Sequence, residues 1–292
     1  MKKIGFVGVG VMGEPMCRNL ALKSGLPVLA LDRNPAPLAR LRPHGVAAAT
    51  GLAELAQDCE LIFLALPSGK HVESICLGEE GLCALARRGQ IVVDLGTSPV
   101  ALARRLAELL RDKGGHFADA PIARTRQAAE DGTLSIMVGA DELTFEAVRP
   151  LLACFASDIT HCGPAGAGQI VKILNNMVLI QTVVALSEAI AVARRSGLDG
   201  RMLFETLAKG SADSFALRNH GMKAILPGSF PEQAFSAEYA LKDLGYALDL
   251  AREAGLDLAG AAVGRSRLEE AIEAGHGKQY WPVICKVIDS AQ

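Results

Sequence analysis

No two cysteines in this chain are spaced as C-x-x-C, and their number, seven, is odd. Cys17, Cys59, Cys76, Cys83, Cys154, Cys162 and Cys285 are scattered along the sequence. That distribution excludes a disulfide frame or a zinc knuckle and reads as the reduced thiols of a cytoplasmic protein. The six histidines stand apart, none at the i, i+4 spacing of a helical metal pair, so no metal is expected. Net charge is −2, and no basic run carries interleaved aromatics, which argues against a nucleic-acid partner. No basic segment leads into a short apolar one as in a secretory signal. A membrane span is not expected either. The longest helical candidate, 166–195, is interrupted by Lys172, Asn175, Asn176, Gln181 and Glu188.

Hydrophobic residues are not scarce. They make up 50% of 292 residues, enough for a large core and more than one domain usually holds. The first half alternates strand and helix, with strands expected at Ile4–Val7, Val28–Leu31, Leu61–Leu66, Ile91–Leu95, His116–Ala118 and Ser135–Val138. Such alternation implies a mainly parallel, doubly wound sheet. Several of these strands are continuous apolar runs, as when helices cover both faces. Near Cys162-Gly163-Pro164 the pattern changes, and only helices follow: 166–195, 199–208, 214–223, 236–254, 259–274 and 281–290. The expected architecture is a Rossmann-type α/β domain, 1–162, and an all-α domain, 163–292, joined by a long central helix. Ile173, Leu174, Val178, Leu179, Val183, Val184 and Leu186 make that helix apolar almost all round, so it is expected to be buried, between domains or between subunits.

The most informative segment lies at the start. The apolar run Ile4–Val7 leads into Gly8-x-Gly10-Val11-Met12-Gly13, and residues of helical spacing follow. This strand–turn–helix context turns a weak glycine pattern into a dinucleotide site. Gly8 permits the tight turn, Gly10 lets the backbone approach a pyrophosphate, and Gly13 lets helix and strand pack closely. N–H groups at the helix start would then face the phosphates. The second strand ends in Asp32, about 20 residues on, where a partner for the ribose hydroxyls is expected. An acid there favours NAD over NADP, and the neighbouring Arg33 leaves NADP open.

Lys172 and Asn176, four apart on the long helix, project from one face. A lysine in an apolar stretch is costly unless it faces a cleft or partner, and its pKa moves readily, which suits proton transfer to an alcohol oxygen. An asparagine can orient a carbonyl or hydroxyl. From spacing alone, a snorkelling lysine and a helix-packing asparagine serve equally well. Asp119-Ala120-Pro121-Ile122-Ala123-Arg124-Thr125 follows a strand, and ligands of doubly wound folds sit beyond strand C-termini. Arg124 there could grip an anionic head group in a two-pronged contact; a solvated loop charge is the plainer alternative.

Taken together, these motifs resemble those of the β-hydroxyacid dehydrogenases, the family of 3-hydroxyisobutyrate dehydrogenase and tartronate semialdehyde reductase. The resemblance runs through Gly8-Val-Gly10-Val-Met12-Gly13, Leu64-Ala-Leu66-Pro67, Asp94-Leu-Gly-Thr97-Ser98-Pro99, Asp119-Ala120-Pro121 with Gly132-Thr133-Leu134, Gly163-Pro-Ala-Gly166-x-Gly168-x-x-x-Lys172-x-x-Asn175-Asn176, and Lys242-Asp243-Leu244-Gly245. It implies that Lys172 is the catalytic acid/base and that Asn176 contacts substrate. It further implies that Lys242 and Asp243 close over cofactor and substrate, and that Leu66, Pro67 and Thr97 line the nicotinamide side. One departure stands out. Most of the family reads D-x-P-V-S-G-G in the loop, where serine and glycines hold the substrate carboxylate. Here Ala123, Arg124 and Thr125 stand at those positions. Arg124-Thr125 is similar to the G-R-T loop of the sulfolactaldehyde reductase branch, as is the tail Gly277-Lys-Gln-Tyr-Trp281, although Ala123 matches neither branch.

The expectation is therefore a cytoplasmic NAD(P)-dependent oxidoreductase that moves a hydride between nicotinamide and a small anionic β-hydroxyacid or its semialdehyde. A homodimer or homotetramer is expected. Carboxylate and sulfonate substrates both remain open. The alternatives are an imine reductase on the same architecture, which usually has another residue at the lysine position, and a non-catalytic NAD-binding scaffold.

Overall fold

The computed structural model describes residues 3–232 and 234–290. Among the described residues nine strands form one sheet: β1 (Lys3–Val7), β2 (Val28–Leu31), β3 (Val46–Ala48), β4 (Cys59–Leu64), β5 (Ile91–Asp94), β6 (His116–Asp119), β7 (Ile122–Ala123), β8 (Leu134–Gly139) and β9 (Ala156–Gly163). Their order is β3-β2-β1-β4-β5-β6-β8-β7, with β9 paired to β8. The first six strands in that order are parallel, and β8 runs antiparallel to β6 and β7. The order reverses between β1 and β4, the switch point where doubly wound folds bind nucleotides.

Register brings the strand ends into line. Leu31, Val7, Leu64, Asp94 and Asp119 are successive partners across β2, β1, β4, β5 and β6. The segments that follow them therefore emerge along one rim. Side chains of the central strands alternate between two cores. Ile4, Phe6 and Phe63 enter one, while Val7, Ile62 and Leu64 enter the other. Burial on both faces is why these strands read as unbroken apolar runs. All six strands expected from the sequence are present. Three were not anticipated: β3, β7 and β9. These are short or edge strands, and β9 exposes Ser157 and Asp158, so an apolar-run criterion passes over them.

The helical part contains Ala167–Arg195, Gly200–Leu207, Leu217–Ile225, Ala237–Glu253, Ala259–Ala271 and Ile284–Ser290, close to the expected set. Leu217–Ile225 is a π-helix, and a π-helical turn, Ile272–His276, extends the helix that begins at Ala259. Asp199 and Ser236 cap the helices that follow them by accepting from Met202 N and Tyr239 N. The chain divides into two compact units, Met1–Lys172 and Ile173–Gln292. That division falls ten residues beyond the expected 162/163 boundary, because the first turns of the long helix are bonded to the sheet of the first unit. Burial of the long helix is less complete than expected. Ile173, Val183, Val184 and Leu186 are buried, but Leu174 and Val178 are 38% and 58% exposed in the single chain. By length and composition this helix could cross a membrane; half of its most apolar window is buried within the protein.

Candidate active site

The glycine turn is built as its pattern requires. Gly8 has φ +90°, and a Cβ there would lie 2.5 Å from Ala65 O. A Cβ at Gly13 would collide with the Gly8 carbonyl, so helix and strand touch as only glycine allows. Gly10 differs: a Cβ there would meet no protein atom within 4 Å. Packing does not demand that glycine, so the space it clears lies outside the chain, where a pyrophosphate would approach. The helix Gly13–Lys23 begins at Met12 with no side-chain cap. Its first-turn acid, Glu14, is held by Arg40 through paired bonds of 2.7 Å, and these depress the Glu14 carboxyl and offset its charge near the phosphate position. Val11, beside the turn, is 54% exposed. Asp32 Oδ2 accepts from Val9 N at 2.7 Å, and Oδ1 accepts from Asn34 N at 2.7 Å. The acid is thereby fixed against the glycine turn, and each oxygen keeps a lone pair for a ribose hydroxyl. Arg33 is exposed beside it. Residues of the turn and Asp32 thus fit a dinucleotide.

Leu66 and Pro67 follow β4, and Thr97 follows β5 on the same rim. Leu66 reaches the glycine turn, since a Cβ at Gly8 would lie 3.1 Å from its Cδ2. Asp119, at the end of β6, is fully buried. It accepts from Gly166 N at 2.5 Å and Gln169 N at 2.8 Å, capping the helix that carries Lys172. Burial pushes its carboxyl up to about 6, against the downward pull of these N–H groups. Gly139 and Gly168 make the contact possible, because a Cβ on either would enter the space of the Asp119 carboxylate.

In the second unit, Asn176 is buried and donates from Nδ2 to Asp243 Oδ2 at 2.7 Å. Asn175 Nδ2 donates to Asn176 Oδ1 at 3.1 Å. Lys242 Nζ lies 2.9 Å from Asp243 Oδ1, between the rings of Tyr239 and Tyr246, whose centroids are 5.8 Å and 5.1 Å away. With 2% exposure and both oxygens engaged, Asp243 is built to orient Asn176 and Lys242. The sequence reading missed Asn175, Tyr239 and Tyr246 as neighbours of this group. It also missed Gln169, a buried polar residue in an apolar helix start.

Arg124 is placed differently from the simplest reading of the loop. It is the one non-glycine residue with positive φ, +83°, among those described. That conformation is a second reason for glycine at this position. Its Nη1 donates to Thr133 O at 2.6 Å and Ser157 Oγ at 2.9 Å, while Nη2 lies 2.7 Å from Asp158 Oδ2. The guanidinium is therefore clamped against β9. Thr125 accepts from Ala128 N as a helix cap, and Ala123 pairs with Ser135 in the sheet. The tail also has a structural place: Trp281 is buried, and the Tyr280 hydroxyl and His220 Nδ1 share a hydrogen bond of 2.5 Å. Burial lowers His220 to about 4, so the ring is neutral there.

Residues 3–163 match the family described as the NAD binding domain of 6-phosphogluconate dehydrogenase. Residues 166–287 match that described as NAD-binding of NADP-dependent 3-hydroxyisobutyrate dehydrogenase. The chain belongs to the β-hydroxyacid dehydrogenase family. Among relatives in this family, 2-(hydroxymethyl)glutarate dehydrogenase of Eubacterium barkeri is 34% identical over 285 residues, covering 98% of this chain and 94% of its own. The 3-hydroxyisobutyrate dehydrogenase of Pseudomonas aeruginosa is 36% identical over 256 residues, 85% of each chain. A solved structure of Mycobacterium tuberculosis 3-hydroxyisobutyrate dehydrogenase with L-serine superposes with a TM-score of 0.88 at 29% identity, covering 99% of this chain and 100% of that one. An imine reductase from a Pseudomonas species shares the fold alone, at 18% identity and a TM-score of 0.61. As a β-hydroxyacid dehydrogenase, the protein is an NAD(P)-dependent oxidoreductase acting on hydroxyl groups.

Proposed function

We propose that the protein interconverts a small anionic β-hydroxyacid and its semialdehyde, with Lys172 as acid/base and NAD(H) as the preferred cofactor. The observation that carries this reading is the pairing of Lys172 with Asn176 one turn along the same helix, where Asp243 and Asn175 fix the Asn176 amide. Bound nicotinamide supplies the hydride acceptor or donor. In the reducing direction the Lys172 ammonium gives its proton to the oxygen that becomes the hydroxyl; in the oxidising direction the amine takes it back. Asn176 spends one Nδ2 hydrogen on Asp243 and keeps the other for the reacting oxygen. The lysine cation also stabilises negative charge developing on that oxygen.

Lys242, held by Asp243, takes the role toward cofactor and substrate that the family resemblance implies. The loop Ala123-Arg124-Thr125 receives the acid group, with Arg124 preset by Thr133, Ser157 and Asp158. Carboxylate and sulfonate are both within the reach of a guanidinium. The exposed apolar residues Val171, Leu174 and Val178, at successive turns of the long helix, support a homodimer or homotetramer. The unpaired thiols of all seven cysteines agree with a cytoplasmic location.

The test is a screen of carboxylated and sulfonated semialdehydes with NADH and NADPH, followed by Lys172→Ala. The substitution is expected to lower kcat roughly 100- to 10,000-fold at saturating substrate, while NADH binding stays nearly intact. A loss of less than about threefold would remove Lys172 as the acid/base.

A further inference from the structure

Gln169 is fully buried in the first turn of the long helix, three residues before Lys172. Its side chain reaches the loop after β5. Oε1 accepts from Ser98 N at 3.0 Å, and Nε2 donates to Gly96 O at 2.8 Å. One partner is a donor and the other an acceptor, so a single orientation of the amide satisfies both. These two partners bracket Thr97. Asp94 holds the same loop from the strand side: Oδ1 accepts from Gly96 N at 2.9 Å, and Oδ2 accepts from Ser98 Oγ at 2.7 Å. Gly96 in turn rests on the preceding rim loop, where a Cβ would lie 3.0 Å from Leu66 O.

The helix side of Gln169 is equally fixed. Its backbone N donates to Asp119 Oδ2 at 2.8 Å, and Gly168 sits where a side chain would strike the Asp119 backbone. One buried amide thus ties the loop around Thr97 to the helical turn that presents Lys172. Filling space would not require an amide here. A leucine would occupy similar volume but would leave the Ser98 N–H and the Gly96 carbonyl without this partner, which the glutamine amide meets together.

We infer that Gln169 is a positioning residue, which sets the place of the Lys172 amino group relative to the Thr97 loop. The inference rests on Lys172 being the acid/base. Gln169 acts through backbone contacts to that loop and helix, so its loss should alter turnover far more than binding. Misplacing a reacting group by about 1 Å can cost on the order of 100-fold in rate.

The experiment uses Gln169→Leu and Gln169→Glu in the full-length protein, each alone and combined with Lys172→Ala, on the best substrate of the screen. Gln169→Leu is expected to lower kcat roughly 10- to 100-fold. KM and the Kd for NADH, from fluorescence titration, should stay within about threefold. In the Lys172→Ala background the same change should cost less than about threefold, because the group it positions is gone. Gln169→Glu should recover rate relative to the unmodified protein as the pH falls, since a protonated carboxyl can again donate to Gly96 O. That recovery is a signature a space-filling role would not give. If Gln169→Leu does not fold, the nearly isosteric Gln169→Glu carries the same comparison.

An unchanged kcat in Gln169→Leu overturns the proposal while leaving Lys172 as the acid/base. Equal losses with and without Lys172 also overturn it and assign Gln169 to folding alone. A loss of less than about threefold in Lys172→Ala removes the acid/base reading itself, and the positioning role with it.

Discussion

Replacing Arg124 by glycine separates three contributions that the structure places on one residue. The first is conformational. Arg124 adopts φ +83°, a left-handed geometry that costs a non-glycine residue about 1–2 kcal/mol, and glycine would relieve it. The second is the clamp to Thr133 O, Ser157 and Asp158, which lies at the surface, where ion pairs contribute little. These two oppose each other, so thermal stability should change little. The third is the proposed hold on the anionic end of the substrate. Losing a charge-assisted bond of about 2–3 kcal/mol would lower kcat/KM roughly 30- to 150-fold for a charged semialdehyde. An uncharged aldehyde of similar size should lose far less. The assay is a paired comparison of the two aldehydes on both proteins, with melting temperature measured alongside. Equal losses for both aldehydes would show that Arg124 shapes the loop and does not meet the anion. No loss for either would leave the guanidinium as a strut on β9.

Asp32→Ser should narrow the preference for NADH over NADPH, because the carboxylate that repels a 2′-phosphate is removed; it should also weaken NADH binding, since Val9 N and Asn34 N lose their partner. Equal or better kcat/KM with NADPH in the unmodified protein would contradict this and point to Arg33. For Asp119 the folded pKa of about 6 lies above the ordinary value of 3.8, so the folded state holds the extra proton and its contribution to stability is lost as pH rises through that window. Urea unfolding of the protein against Asp119→Asn should show the difference between them fall by about 2 kcal/mol from pH 4 to pH 7. A difference that grows with pH would mean that the helix-start N–H groups outweigh burial.

Several features of this protein are determined by local sequence. A parallel strand covered on both faces must be an apolar run, so β1, β4 and β5 announce themselves. Gly8 and Gly13 are demanded by a turn and a close approach that involve few residues, and Lys172 and Asn176 share a face by helical spacing alone. Tertiary structure decided what depends on distant partners. β9 shows little apolar pattern and exists because β8 offers it an edge. The guanidinium of Arg124 was free in sequence to face a ligand, and its clamp to Asp158 arises only because β7, β8 and β9 lie side by side. Gln169 is separated by 71 residues from Ser98, and Asn176 by 67 from Asp243. Hydrogen bonds between such residues have no period or local signature; they exist only once the sheet register and helix packing bring the partners within about 3 Å.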